Sequence, residues 1–188
     1  MDQHQMVILI AIVVIALIVI AAIAFVASRK RRSMKLREHF GPEYDRVLRQ
    51  EGDARKAEGV LEFREKRREK FKIRPLSATD RSSFNVRWSE VQARFVDDPR
   101  GAVTVADSLV TDVMQARGYP IGEFDQRAAD LSVDYPTIVE NYRAAHDIAH
   151  RHSAGKASTE DLRQAMVHYR ALFQELLEER PTQQRKGA

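Results

Sequence analysis

The hydrophobic pattern of the chain changes abruptly after its first 27 residues. Residues 6–27, MVILIAIVVIALIVIAAIAFVA, are 22 consecutive residues without a charge, a glycine, a proline or a hydroxyl group. As a helix this segment would be about 33 Å long, which matches the hydrocarbon core of a bilayer. A surface helix of a soluble protein keeps a polar face, and this segment has none. The pattern therefore predicts a transmembrane helix over 6–27, preceded by a short extracytoplasmic N-terminus, 1–5.

Beyond the apolar segment, hydrophobic residues recur at helical spacing, and no alternating run long enough for a strand is present. One stripe begins at Phe84 and Trp88, and Ser77 is placed to cap its helix. The other predicted breaks and caps are Gly41-Pro42, Gly52-Asp53, Arg74-Pro75, Asp97-Asp98-Pro99, Gly118, Asp134-Tyr135-Pro136 and Ser158. Helices joined by such short links typically form antiparallel bundles. The sequence predicts an all-α protein whose residues 75–179 form an antiparallel helical bundle.

The segment between the apolar run and the bundle, residues 28–74, has few apolar positions and dense charge. It predicts a basic juxtamembrane helical arm, which either extends as a stalk or folds back on the bundle. Its last stretch, FREKRREKFKIR, is predicted to be a solvated helix that ends at Arg74-Pro75. The final residues, 180–188, are predicted to be a disordered polar tail.

Positive charge is concentrated beside the apolar segment. The chain has a net charge of +4, whereas residues 28–74 carry +8 and residues 75–188 carry −3. The cations directly after the predicted span are Arg29, Lys30, Arg31, Arg32, Lys35 and Arg37. By the positive-inside rule, these predict a single-pass protein of the cell membrane with its N-terminus outside and its C-terminal domain cytoplasmic. The same six side chains are predicted to contact anionic lipid headgroups; a role in topology alone is the alternative.

A cleaved signal peptide is the main alternative to a retained span, because Ala22-Ile23-Ala24 resembles a small-x-small cleavage site. Two features favour retention. Residues 1–5 contain no Lys or Arg, and the apolar run is longer than the usual signal-peptide core of about 7–15 residues.

Nucleic acid is not the favoured partner of the basic segment. A nucleic-acid-binding domain is expected to carry its positive charge on the folded part, which is slightly acidic here. An envelope or nucleic-acid tether acting through the basic segment remains an alternative hypothesis.

Candidate catalytic chemistry is sparse. The absence of cysteine excludes a disulfide framework, a zinc-thiolate site and a cysteine nucleophile. His146 and His150 are spaced four apart and could bind one zinc ion from a helix, but Asp147 replaces the glutamate that zincins place after the first histidine. No third ligand follows at a recognised spacing. We therefore predict no catalytic residue, metal or cofactor, with a membrane-bound metal-dependent hydrolase using His146 and His150 as the alternative.

Several stretches resemble a group of uncharacterised bacterial proteins that have one N-terminal span and a helical C-terminal domain. They are LREHFGPEYDRVL, WSEVQARFVDDPRGAV, ADSLVTDVMQARGYP, QRAADLSVDYP, VENYRAAHDIA and STEDLRQAMVHYRALFQELL. The resemblance covers most of residues 36–178 and implies no activity, cofactor or catalytic residue. With the anchor and the bundle, it leads to the hypothesis of a membrane-tethered cytoplasmic module that binds another protein or a second copy of itself.

Overall fold

The computed structural model describes residues 3–178 and, within that range, the side chains of residues 12–178. The predicted tail 180–188 and the first two residues of the predicted N-terminus lie outside the described residues. Residues 3–178 contain eight helices and no strand, which confirms the all-α prediction. The helices are α1 Gln3–Phe40, α2 Pro42–Glu51, α3 Ala54–Arg68, α4 Ala78–Asp97, α5 Pro99–Arg117, α6 Phe124–Asp134, α7 Val139–Ser153 and α8 Thr159–Leu177.

The chain divides into two compact units, with the boundary between Glu58 and Gly59 inside α3. In the first unit, α1 continues without a break from the apolar segment through the basic segment to Phe40. No glycine or proline interrupts residues 3–40, so the helix has no local reason to end earlier. Gly41 ends α1 with a φ of 48°, which a residue with a side chain rarely adopts, and Pro42 opens α2.

A small apolar contact holds α1 and α2 together in the first unit. Leu36 and Phe40 near the end of α1 are buried, as are Tyr44 and Val47 on α2. The Tyr44 hydroxyl donates a hydrogen bond of 3.1 Å to the Glu58 carboxylate. The end of α1 is therefore packed, unlike its apolar part from Ile12 onward.

The second unit contains the helical bundle. α4 packs on α5, α5 on α8, and α8 on α7. The core lies between these helices, and Trp88 of α4 stacks on Phe173 of α8 with 4.7 Å between ring centroids. Its other large, fully buried side chains include Leu109, Met114, Leu131, Tyr135, Tyr142, Tyr169, Leu172 and Leu176.

Helix boundaries in the bundle follow the predicted caps closely. The side chains of Ser77, Asp98 and Ser158 each accept a hydrogen bond from a backbone N–H in the first turn of α4, α5 and α8. Two boundaries differ from the prediction. α3 ends at Arg68 rather than at Arg74, and α7 begins at Val139, after a turn that follows Tyr135.

Residues 28–74 are distributed over the end of α1, α2, α3 and a connecting segment. The segment after α3 packs on the bundle, because Phe71 and Ile73 contact its core. The Arg74 backbone N–H also donates a 2.9 Å hydrogen bond to the Arg117 carbonyl at the end of α5. These contacts explain why α3 ends early: after the helix, the chain follows an extended path along the bundle.

Candidate functional site

The candidate membrane-contact site is the basic segment of α1, residues 29–37. All six of its cations are exposed and all lie on one uninterrupted helix. Successive helical residues advance by about 100°, so the four consecutive cations from Arg29 to Arg32 point to all sides of the helix. This arrangement forms a collar of positive charge around the helix rather than a charged stripe. A collar suits a helix that passes through a layer of anionic groups.

The six cations occupy different depths along the helix axis. Arg29 to Arg32 lie about 3–8 Å beyond Ala27, and Arg37 lies about 15 Å beyond it. The headgroup layer on one side of a bilayer is about 5–8 Å thick. With Ala27 at the edge of the hydrocarbon, the first four cations reach that layer directly and Arg37 does not.

Arg37 is also engaged by the protein itself. Its guanidinium lies over the Tyr44 ring, 5.0 Å from the ring centroid, and its Nη2 is 3.8 Å from an Asp45 carboxylate oxygen. Both partners are on α2, so Arg37 stabilises the α1–α2 turn. The sequence pattern grouped Arg37 with the other five cations, because a pattern does not reveal which of them has a folded partner.

His146 and His150, the candidate metal ligands, have different surroundings. The His146 ring stacks on Phe124 of α6, with 3.5 Å between centroids and 6° between planes, and burial lowers the pKa of His146. His150 is exposed, and Asp147 forms a 3.0 Å ion pair with Arg151. In the part of the chain that the structure describes, no group of three or more potential ligands is placed to hold a metal ion. The geometry makes His146 a packing contact between α6 and α7.

The charged stretch of α3 was predicted to be solvated, and this prediction is wrong for its arginines. Arg67 donates hydrogen bonds of 2.8 and 3.3 Å to the buried carboxylate of Asp130 on α6. Arg68 donates one of 2.6 Å to Asp134, and Arg64 donates one of 3.2 Å to the Ser132 hydroxyl. α3 is therefore attached to α6 by charged and polar contacts.

The sequence contains a signal that would have indicated this attachment. At about 100° per residue, Arg64, Arg67 and Arg68 fall within roughly 100° of one another on α3, while Lys66 lies on the other side. Arginine forms bidentate pairs with carboxylates more readily than lysine does. The side of α3 that carries the arginines is thus the side that contacts α6.

Buried tyrosines form hydrogen bonds to two carboxylates of the bundle, those of Asp134 and Asp107. The Tyr119 hydroxyl donates a 2.5 Å hydrogen bond to Asp134, and the Tyr169 hydroxyl donates one of 3.0 Å to Asp107. Burial raises the pKa of both tyrosines well above the usual value, and it raises the pKa of Tyr142 to about 12. The three hydroxyls therefore stay protonated, and those of Tyr119 and Tyr169 act as hydrogen-bond donors.

The outer side of α4 is a candidate protein-interaction surface. Most of its side chains are exposed, and Val86 and Val96 are 57% and 81% exposed. A shallow groove of about 480 Å³ runs along it, lined by Ala78, Arg81, Ser82, Asn85, Val86 and Ser89. We call this surface the α4 outer face.

Comparison with known proteins finds no matching family model, no matching curated protein and no matching solved structure. The resemblance noted from the sequence stays a prediction.

Proposed function

We propose that this chain is a single-pass protein of the cell membrane whose cytoplasmic helical domain serves as a protein-interaction module. One observation carries the proposal: an exposed apolar helix continues directly into a collar of exposed cations. Among the residues searched, 12–178, one helix is long and apolar enough to cross a membrane, within Ile12–Phe40.

The exposure of this helix argues against the reading of a soluble core helix. Side chains such as Ile15, Ile18 and Phe25 are 61–66% exposed, and none in the apolar stretch from Ile12 is buried. Leaving so many large apolar side chains in water would be costly, at about 25 cal/mol per Å² of apolar surface. A bilayer removes that cost, because the helix satisfies its own backbone hydrogen bonds.

The collar supports the proposed orientation. Arg29 to Arg32 lie within the depth of a headgroup layer, where cations favour the cytoplasmic, anionic leaflet. The helical bundle that follows would then lie in the cytoplasm. The α4 outer face supports the interaction role, because it offers exposed valines and a shallow groove on a helix whose other side is packed on α5.

Topology is testable with single cysteines, because the natural chain has none. Gln5→Cys and Lys156→Cys place one thiol on each side of the proposed membrane. In intact cells, a membrane-impermeant maleimide should label position 5 and spare position 156; after lysis it should label both. Labelling of position 156 in intact cells would contradict the orientation. A released chain that is shorter and lacks position 5 would instead show that the apolar segment is a cleaved signal peptide.

The interaction role is testable by crosslinking in native membranes. Ser89→Cys places a thiol-reactive photocrosslinker in the α4 groove, and Lys156→Cys in the loop before α8 is the matched control. We expect a discrete adduct, with another protein or with a second copy, from position 89 only. Val86→Glu, which puts a charge into the groove, should abolish it. Equal crosslinking from positions 89 and 156 would count against the α4 outer face.

A further inference from the structure

A second surface of the protein combines an exposed aromatic ring with positive charge. Phe63 on α3 is 65% exposed, although it lies in the middle of a helix that is attached to the bundle. Lys66 follows one turn later on α3, and Lys70 lies in the turn that follows the end of the helix at Arg68; both are exposed. We call Gly59, Phe63, Lys66 and Lys70 the α3 outer face.

The α3 outer face is held in a fixed direction by the contacts on the other side of the helix. At about 100° per residue, Phe63 lies about 160° from Leu61, which is fully buried. Lys66 lies about 160° from Arg64, which bonds to Ser132. Because Arg67 is also bound to Asp130, α3 cannot rotate to bury Phe63 without breaking these contacts.

Charge on this face is positive around the ring. Lys66 lies about 60° from Phe63 around the helix axis, whereas the carboxylate of Glu62 lies about 100° away. Lys70 and Glu69 are exposed in the turn after α3. Gly59, one turn before Phe63, has open space where a side chain would be. The ring therefore protrudes from a smooth surface bordered by lysines.

We propose that the α3 outer face binds the surface of an anionic bilayer, with the Phe63 ring inserted between headgroups and Lys66 and Lys70 paired with lipid phosphates. This chemistry is typical of interfacial helices, which place aromatic residues in the membrane boundary beside lysines on the polar side. One aromatic ring and two cations make a weak contact by themselves. The inference rests on the proposed membrane anchor, which supplies the local concentration.

The covalent link makes this weak contact effective. A tether of short length raises the effective concentration of a second site to about the millimolar range, provided that the linker can span the distance. α1 extends about 20 Å beyond Ala27 to reach Phe40. α2 and the first part of α3, which connect Phe40 to Phe63, are together about 30 Å long, so this linker can span that distance.

The test uses the full chain in lipid nanodiscs with a single reporter tryptophan. Trp88→Phe removes the native tryptophan, and Phe63→Trp places the reporter in the α3 outer face. Val86→Trp in the same background is the control, since Val86 is comparably exposed on α4. Discs contain brominated phosphatidylcholine as a quencher, with or without phosphatidylglycerol. Circular dichroism checks that each variant keeps its helix content.

We expect quenching at position 63 to be about twofold stronger in discs with phosphatidylglycerol than in discs without it. Lys66→Glu/Lys70→Glu should remove this difference, whereas Lys156→Glu/Arg170→Glu, an equal charge change at exposed positions elsewhere, should leave it. Quenching at position 63 no stronger than at position 86 would overturn the inference. So would a blue shift at position 63 that depends on protein concentration but not on brominated lipid, which would indicate contact between two copies.

Failure of this inference can be separated from failure of the anchor. Extraction of native membranes with carbonate and high salt tests α1 alone, because surface contacts are released and a spanning helix is retained. A chain that is retained but shows no specific quenching at position 63 overturns only the α3 contact. A chain that is released overturns the proposed membrane anchor.

Discussion

At the scale of single residues, the choice between arginine and lysine decides how the charged stretch of α3 is used. Arg64 and Arg67 reach into the surface of α6, and Lys66 between them stays in solvent. The planar guanidinium can satisfy both oxygens of the buried Asp130 carboxylate, which a point-like ammonium would do less well. Composition gives only the total charge of this stretch. The position of each residue around the helix decides whether its side chain bonds to α6 or stays in solvent.

The Arg67–Asp130 pair leads to a stability prediction. Arg67→Ala removes the guanidinium from the buried Asp130 carboxylate and leaves the Gln126 amide as a hydrogen-bond donor to it, so the free energy of unfolding should fall by about 2–4 kcal/mol. Lys66→Ala, the neighbouring exposed position, should change it by less than about 0.5 kcal/mol. Urea unfolding of the full chain in detergent, monitored by circular dichroism, measures both free energies of unfolding. Equal effects would show that the pair does not hold α3.

His146 leads to a prediction about pH. Burial lowers its pKa in the folded state, so the folded protein favours the neutral ring, which stacks on Phe124. The stabilisation is present above the unfolded pKa of about 6.5 and is lost as pH falls from that value through the lower pKa of the folded state. The urea midpoint should therefore fall less between about pH 7 and pH 5 in His146→Gln than in the natural protein. His150→Gln, at an exposed position, should keep the natural dependence; a loss of dependence there as well would contradict the assignment.

At the scale of helices, local sequence predicted most boundaries. Ser77, Asp98 and Ser158 cap their helices as expected, because an N-cap depends on hydrogen bonds within a few residues. The end of α3 at Arg68 was not predicted, because it depends on contacts with residues far away in the sequence. Its cause is a hydrogen bond from Arg74 to Arg117, more than forty residues away, together with the burial of Phe71 and Ile73.

A substitution at Gly118 tests how tightly the segment after α3 packs on the end of α5. It ends α5 with a φ of 94°, and the backbone of Lys72 passes directly where a side chain would lie. Gly118→Ala should lower the free energy of unfolding by about 2 kcal/mol or more, from backbone strain and displacement of the segment. Gly122→Ala, where a side chain would meet open space, is the matched control and should have little effect. The same urea unfolding measurement compares the two variants, and similar values for both would show that the segment does not pack tightly there.

At the scale of the whole molecule, the proposed role depends on a division between an anchor and a folded domain. The apolar part of α1 has no packing partner within residues 12–178, whereas the bundle has a complete core. The α3 and α4 outer faces offer two exposed surfaces of different chemistry. A cationic, aromatic face suits an anionic bilayer, and a shallow groove that contains an exposed valine suits a helix of another protein.

The depth of the cations along α1 predicts which of them set topology. Replacing Arg29, Lys30, Arg31 and Arg32 by glutamine should produce a fraction of chains with inverted orientation, because the proposed topology places these cations at headgroup depth. Arg37→Gln should leave orientation unchanged, since Arg37 lies farther out and contacts Tyr44 and Asp45. Maleimide labelling at position 156 in intact cells measures the inverted fraction. Unchanged orientation in the fourfold variant would show that the collar does not set topology.

The sequence by itself determined the all-α class, the apolar segment, the basic collar and most helix caps. These features depend on composition and on neighbours within one or two turns, so a linear pattern contains them. Only the tertiary structure decided that Arg67 is paired with Asp130, that His146 stacks on Phe124, and that Phe63 stays exposed. The two contacts join residues about 60 and about 20 positions apart. The sequence around a residue does not show which distant residue it will contact in the folded protein.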